Sequence, residues 1–211
     1  EGLYWKYESI VRQWDAQIHS VPGAAGELFA VRSNLLAPLP VGTICDDLYL
    51  SVQVIHKGYR VGYESTAYGS ERYSYSIQKE WKRKLRIAAG SIQLLSSFGL
   101  IRFFFKRPLP AFQLISRKII RWILVPYLML LLIGLSAYLS FNTADDLIQV
   151  LISLQWVFYG MAFIGWMTSG FRFLPRLFFF PFYFVLANAA MIIGTIHYLS
   201  GKSYAVWEKV R

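Results

Sequence analysis

The chain has 211 residues, a net charge of +10, 55% apolar residues and 16% charged ones, well below the roughly 25% charged of ordinary globular domains. That composition excludes a simple water-soluble protein, because polarity is divided by position: residues 1–121 read as a water-soluble α/β piece and 122–201 as an apolar block. The lone Cys45 excludes an internal disulfide framework and a cysteine-based zinc site. Nucleic acid is set aside as a partner because the positive charge lies beside membrane spans.

In chain order, Tyr4, Tyr7, Ile10, Val11, Trp14 and Ile18 recur at helical spacing and predict an amphipathic helix over 4–18. Gly23 and Gly26 make a turn that feeds a short strand, Leu28–Val31, and Pro38–Pro40 is a loop. Asp46 and Asp47 open a helix to about Lys57, with Leu48, Leu50–Val52, Val54 and Ile55 as its apolar face and Gly58 as the C-cap candidate. Tyr59–Glu64 reads as a second short strand and Ala67–Glu71 as a loop; Gln78–Phe98 is a helix with a strongly basic face.

Pro108 and Pro110 precede a basic amphipathic helix, Ala111–Arg121, whose apolar residues Phe112, Ile115, Ile119 and Ile120 suit a membrane interface. Three uncharged runs follow, Trp122–Ala144, Leu147–Phe171 and Leu177–Gly201, each longer than the roughly 20 residues that cross about 30 Å of hydrocarbon. The resulting division is 1–100, 101–121 (basic interfacial region), 122–201 (spans) and 202–211 (tail).

From Lys79 to Arg121 the cations are Lys79, Lys82, Arg83, Lys84, Arg86, Arg102, Lys106, Arg107, Arg117, Lys118 and Arg121, against Glu80 alone. A basic belt before a span marks the cytoplasmic side, so residues 1–121 are expected there, in a cell membrane. With that orientation Arg172 and Arg176 also fall inside. Lys202, Lys209 and Arg211 fall outside unless Pro175 and Pro181 make the last segment re-entrant.

Two adjacent carboxylates at a helix start have a plain structural role, capping and dipole compensation worth about 0.5–2 kcal/mol. Their surroundings suggest more. Asp46–Asp47, an apolar helix and Gly58-Tyr59-Arg60 together resemble the acidic motif of the processive family 2 glycosyltransferases. That group includes cellulose, hyaluronan, chitin and poly-N-acetylglucosamine synthases, and its usual pattern is Glu-Asp, an apolar helix and Gly-Tyr-Arg. Asp46 stands at the Glu and Asp47 at the Asp. The stretch Arg83–Gly90 resembles the family's Gln-x-x-Arg-Trp motif: Arg86 and Gly90 match, whereas Arg83 replaces the Gln and Ile87 the Trp. Loss of the stacking Trp disfavours cellulose and chitin. Gly23–Arg32 resembles the segment bordering the acceptor site, where small residues let backbone approach a sugar ring.

This resemblance covers essentially the whole chain. It implies the C-terminal part of a GT-A-type α/β domain followed by a helical membrane domain of about three spans. It further implies an inverting transfer from a nucleotide-diphosphate sugar to a growing polysaccharide or a lipid-linked acceptor. Asp47 would be the general base, with Asp46 the second candidate. Arg83 and Arg86 would grip the leaving group or acceptor, and Gly23 and Gly26 would border the acceptor. A divalent cation, Mg²⁺ or Mn²⁺, is expected in the full-length enzyme. Its Asp-x-Asp motif does not occur here, no metal site is assigned, and His19, His56 and His197 lack ligand-like spacing. The chain opens without an initiator methionine or a cleavable signal. The reading therefore expects a fragment that lacks the donor-binding half and is inactive alone. The alternatives are a non-catalytic membrane subunit that anchors or regulates a partner synthase, and a transporter or channel. The spans carry no charged residue to line a pathway.

Overall fold

The computed structural model describes residues 2–26, 28–67, 69, 76–169 and 176–202. Among the described residues there is no strand. This corrects the α/β expectation: the regular structure of the described residues is all helical, and the segments 28–31 and 59–64 join no sheet. A strand needs a neighbour for its backbone groups. The second segment has a single backbone bond of this kind, from Val21 N–H to Val61 O at 2.9 Å. The first leaves Leu28 and Phe29 exposed. The predicted loop 67–71 and the 202–211 tail fall largely outside the described residues.

Helix α1 spans Gly2–Ile18. Its apolar stripe does not form the contact surface, for Tyr7, Ile10, Trp14 and Ile18 are all exposed, whereas Glu8 and Asp15 are only 5% and 7% exposed. Helix α2, Asp46–His56, matches its predicted extent. It ends as its sequence demands: Gly58 adopts a φ of 94°, Gly58 N–H reaches Ile55 O and Tyr59 N–H reaches Val54 O. That pair of bonds is the Schellman closure. Arg60 then donates to His19 O at 2.6 Å and Ala16 O at 2.7 Å, capping the last carbonyls of α1.

Helix α3 covers Ile77–Phe98, with the Ser76 hydroxyl accepting from Lys79 N–H at its start. Helices α4, Leu100–Lys106, and α5, Pro108–Leu114, follow. Pro108 begins α5, because proline lacks only an N–H that a first turn leaves unused anyway. The backbone then runs without interruption through a π-helical segment, Ile115–Leu124, into α6, Val125–Asn142. The basic amphipathic helix predicted at 111–121 and the first span are therefore parts of one helical rod of 35 residues, about 50 Å long at 1.5 Å per residue. That exceeds the hydrocarbon thickness, so part of the rod stands outside it.

Helices α7, Asp146–Met167, and α8, Arg176–Leu199, complete the chain. Asp145 caps α7 by accepting from Ile148 N–H at 3.1 Å. The rod, α7 and α8 supply three helices long and apolar enough to cross a membrane. Leu131, Leu132, Phe141, Leu154 and Leu177 on them are exposed, as contact with lipid requires. Glycines set the close approaches: a Cβ at Gly165 would stand 2.6 Å from Phe178 O, and one at Gly194 2.6 Å from Leu85 O. Helices α7 and α3 thus both lie backbone-close against α8, as small residues allow. An apolar core joins α2, α3, α4 and α5 through Leu48, Val52, Ile55, Leu94, Phe103 and Leu114.

Candidate functional site

The turn of α2 that carries both carboxylates faces two ways. Asp46 is exposed and Asp47 is partly buried. The Asp47 carboxylate accepts Leu48 N–H at 2.8 Å. Burial pushes its pKa above the ordinary aspartate range. The Asp46 charge adds to that rise, while the Leu48 N–H, Lys118 and Arg86 oppose it without cancelling it.

The Gly23–Gly26 loop lies directly against this turn. Ala24 N–H donates to the Ser51 hydroxyl at 2.8 Å, and that hydroxyl donates to Asp47 O at 2.7 Å. A Cβ on Gly26 would stand 3.1 Å from Asp47 Oδ2, and one on Gly23 would stand 3.0 Å from Leu48 Cδ1 and 3.7 Å from Lys118 Cε. Glycine at these two positions lets backbone approach a carboxylate and a lysine stem closely. On the opposite side, a Cβ on Gly90 would collide with Cys45 Sγ. Gln93 fastens the loop before α2 by accepting Ile44 N–H at 2.9 Å and donating to Gly42 O at 2.8 Å. The Cys45 thiol, pushed up to about 11 by burial and then by Asp47, stays protonated and is no nucleophile.

The structure brings together Gly23, Gly26 and Asp47, with Arg86 near enough for its charge to oppose the rise of the Asp47 pKa. Asp46 faces outward, and Arg83 turns to Glu80, donating through Nε at 2.8 Å and Nη2 at 3.0 Å. Residues three apart share a helix face only loosely, and here the divergence separates their tasks. Glu80 also accepts from Tyr183 of α8 at 2.7 Å. Burial alone would raise the Glu80 pKa, but the Arg83 and Tyr183 hydrogen bonds and the nearby cations hold it down at about 2.

Lys118, which the sequence shows only as one cation of the basic belt, lies against the glycine loop. Its ammonium lies 5.0 Å from the Trp122 ring centre, a cation–π distance. The π-helical segment presents it toward the glycine loop, and π segments often mark functional places. The signal available in sequence was the pairing of the belt with acids far upstream. Arg117 Nε meets Asp15 Oδ2 at 3.1 Å and its Nη2 meets Glu8 Oε2 at 3.4 Å, while Arg121 lies 3.8 Å from Glu8. Gln113 donates to Asp15 O at 2.8 Å. Buried acids therefore dock α1 on the rod. Glu8 resists the upward push of its burial through Arg121, Lys118, Arg12 and Arg117 and ends below its usual range; for Asp15, burial outweighs Arg117 and the pKa rises.

A divalent cation does not fit these residues. Asp47 shares its surroundings with two cationic side chains, and no group of three or more His, Cys, Asp or Glu is poised for a metal among the described residues. No known protein family matches the chain, and neither does any curated protein or solved structure. The fold and site define a helical membrane protein with a half-buried carboxylate beside the Gly23–Gly26 loop, in the field of Arg86 and Lys118.

Proposed function

We propose that this chain carries the acceptor-activating part of an inverting glycosyltransferase at a cell membrane, with residues 1–121 on the cytoplasmic side. The observation that supports it best is the Asp47 carboxylate, half-buried under the Gly23–Gly26 loop with a raised pKa and with Arg86 and Lys118 close by. A base of raised basicity suits proton abstraction from a hydroxyl. In the proposed step the acceptor oxygen bonds to the anomeric carbon of a nucleotide-diphosphate sugar as its proton passes to Asp47. The bond from that carbon to the diphosphate oxygen breaks, its electron pair leaves with the nucleoside diphosphate, and configuration inverts. Arg86, with a planar fork suited to phosphate oxygens, and Lys118 offset the developing negative charge. Residues that bind the donor lie outside this constellation in the proposal.

The test is Asp47→Asn in the full-length gene product, assayed in membranes for transfer from radiolabelled UDP-sugars. The expected result is loss of transfer with normal insertion and expression, and retention of activity in Asp46→Asn. Wild-type transfer by Asp47→Asn overturns the assignment and leaves an anchoring or regulatory subunit as the better reading.

A further inference from the structure

A cavity of about 1020 Å³ lies between the start of α3 and the helices α7 and α8. It is separate from the Asp47 constellation and shares none of its residues. Its walls are largely aromatic and aliphatic: Trp81 from α3, Tyr159, Phe163 and Trp166 from α7, and Phe182 and Leu186 from α8. The α7 and α8 walls belong to helices that are long and apolar enough to cross a membrane. Polar lining comes chiefly from α3, which contributes Gln78 and Lys82. The same stretch of α3 carries Lys79, Arg83, Lys84 and Arg86, and its one acid, Glu80, is already engaged by Arg83, Lys84 and Tyr183.

We infer that this cavity holds a long-chain lipid phosphate, its hydrocarbon among the aromatic walls and its phosphate on Lys82. The volume is that of a ligand pocket, about 300–1,000 Å³ or slightly above. An apolar lining drawn from membrane-crossing helices selects hydrocarbon over a water-soluble metabolite. The cationic face of α3 selects an anionic head over a neutral one. Lys82 and Arg86 are four residues apart, on the same side of α3 and about 6 Å apart along its axis. A phosphate held at Lys82 would thus lie one helical turn from Arg86. The assignment deepens the transfer reading by naming the acceptor's carrier, and rests on that reading only for the acceptor role.

The experiment measures binding alone, with no sugar donor, so its outcome is independent of transfer. Native mass spectrometry of the detergent-solubilised protein is titrated with oleyl phosphate, with oleyl alcohol, with inorganic phosphate and with dioleoyl phosphatidylglycerol. Oleyl phosphate is expected to bind at least about tenfold tighter than oleyl alcohol or phosphatidylglycerol, with no competition from inorganic phosphate. The exposed-site variant Lys82→Ala should weaken oleyl phosphate by about tenfold and leave oleyl alcohol unchanged, while the lining variant Ala162→Phe should weaken both. Equal binding of oleyl alcohol, equal binding of phosphatidylglycerol, or an unaltered Lys82→Ala each overturns the inference. Binding as expected together with an active Asp47→Asn would sink the transfer reading and leave the lipid site standing. No binding together with an inactive Asp47→Asn would do the reverse.

Discussion

Gly26→Ala separates the site's chemistry from the fold's stability more cleanly than any substitution of a charged residue. Gly26 is not among the glycines with positive φ, so alanine enters without backbone strain. The new methyl would stand 3.1 Å from Asp47 Oδ2 and 3.6 Å from Cγ, so the carboxylate must give by a few tenths of an ångström. Loss of unfolded-state entropy favours the variant by about 0.4–1 kcal/mol. The contact costs about 1 kcal/mol, the low end for overpacking, because a side-chain tip can move. These terms nearly cancel, so the melting temperature should move by no more than about 4 °C. Activity should not be spared. A methyl over a general base blocks the acceptor's approach, and misplacement of up to about 1 Å can cost roughly 10²-fold in rate. The methyl also excludes water from the carboxylate, pushing its pKa further up and moving the acid limb of kcat/KM upward. Gly23→Ala is the control: at a φ of 132° and 3.0 Å from Leu48 Cδ1, it should cost about 1–3 kcal/mol of stability. Thermal unfolding by circular dichroism and kcat/KM across pH, both on the full-length gene product in one detergent, read the two effects. The reasoning is refuted if Gly26→Ala keeps wild-type kcat/KM and an unmoved acid limb.

The two arginines should behave differently. Arg86→Ala is expected to cost about 2–4 kcal/mol of transition-state stabilisation with only partial recovery by Lys, while Arg83→Ala leaves kcat/KM within a few-fold and lowers thermal stability; similar kinetic losses at both positions would count against the observed divergence. Glu80 sets an acid limit. Its folded pKa of about 2 lies below the ordinary 4.5, so its contribution is fully present above pH 4.5 and is lost as pH falls toward 2. After screening of a partly exposed group that contribution is about 1–2 kcal/mol. Glu80→Gln should flatten the stability curve in that window, and parallel wild-type and variant curves would contradict the Arg83–Glu80–Tyr183 linkage.

Local signals carried the helices. The acids opening α2, Gly58 closing it and the uncharged runs after the basic belt each act within a few residues of where they stand, and the structure follows them. Strands at 28–31 and 59–64 were a different matter. Their apolar patterning is compatible with a sheet, but a strand exists only when a neighbouring segment pairs with its backbone groups in series, and among the described residues the second segment has the one bond from Val21 N–H to Val61 O and no ladder. The contact face of α1 was likewise beyond local reading. Its apolar periodicity pointed to one side, whereas Glu8 and Asp15 are the residues buried, because Arg117 and Arg121 arrive about a hundred residues later to neutralise them. The same holds at the site. Spacing placed Asp46 beside Asp47 and Arg83 near Arg86, and only the packing of the glycine loop, α3 and the π segment turned Asp47 and Arg86 inward, sent Arg83 to Glu80 and brought in Lys118. Periodicity and capping report what a residue does to its own turn of backbone; which charges meet depends on distant segments folding against each other.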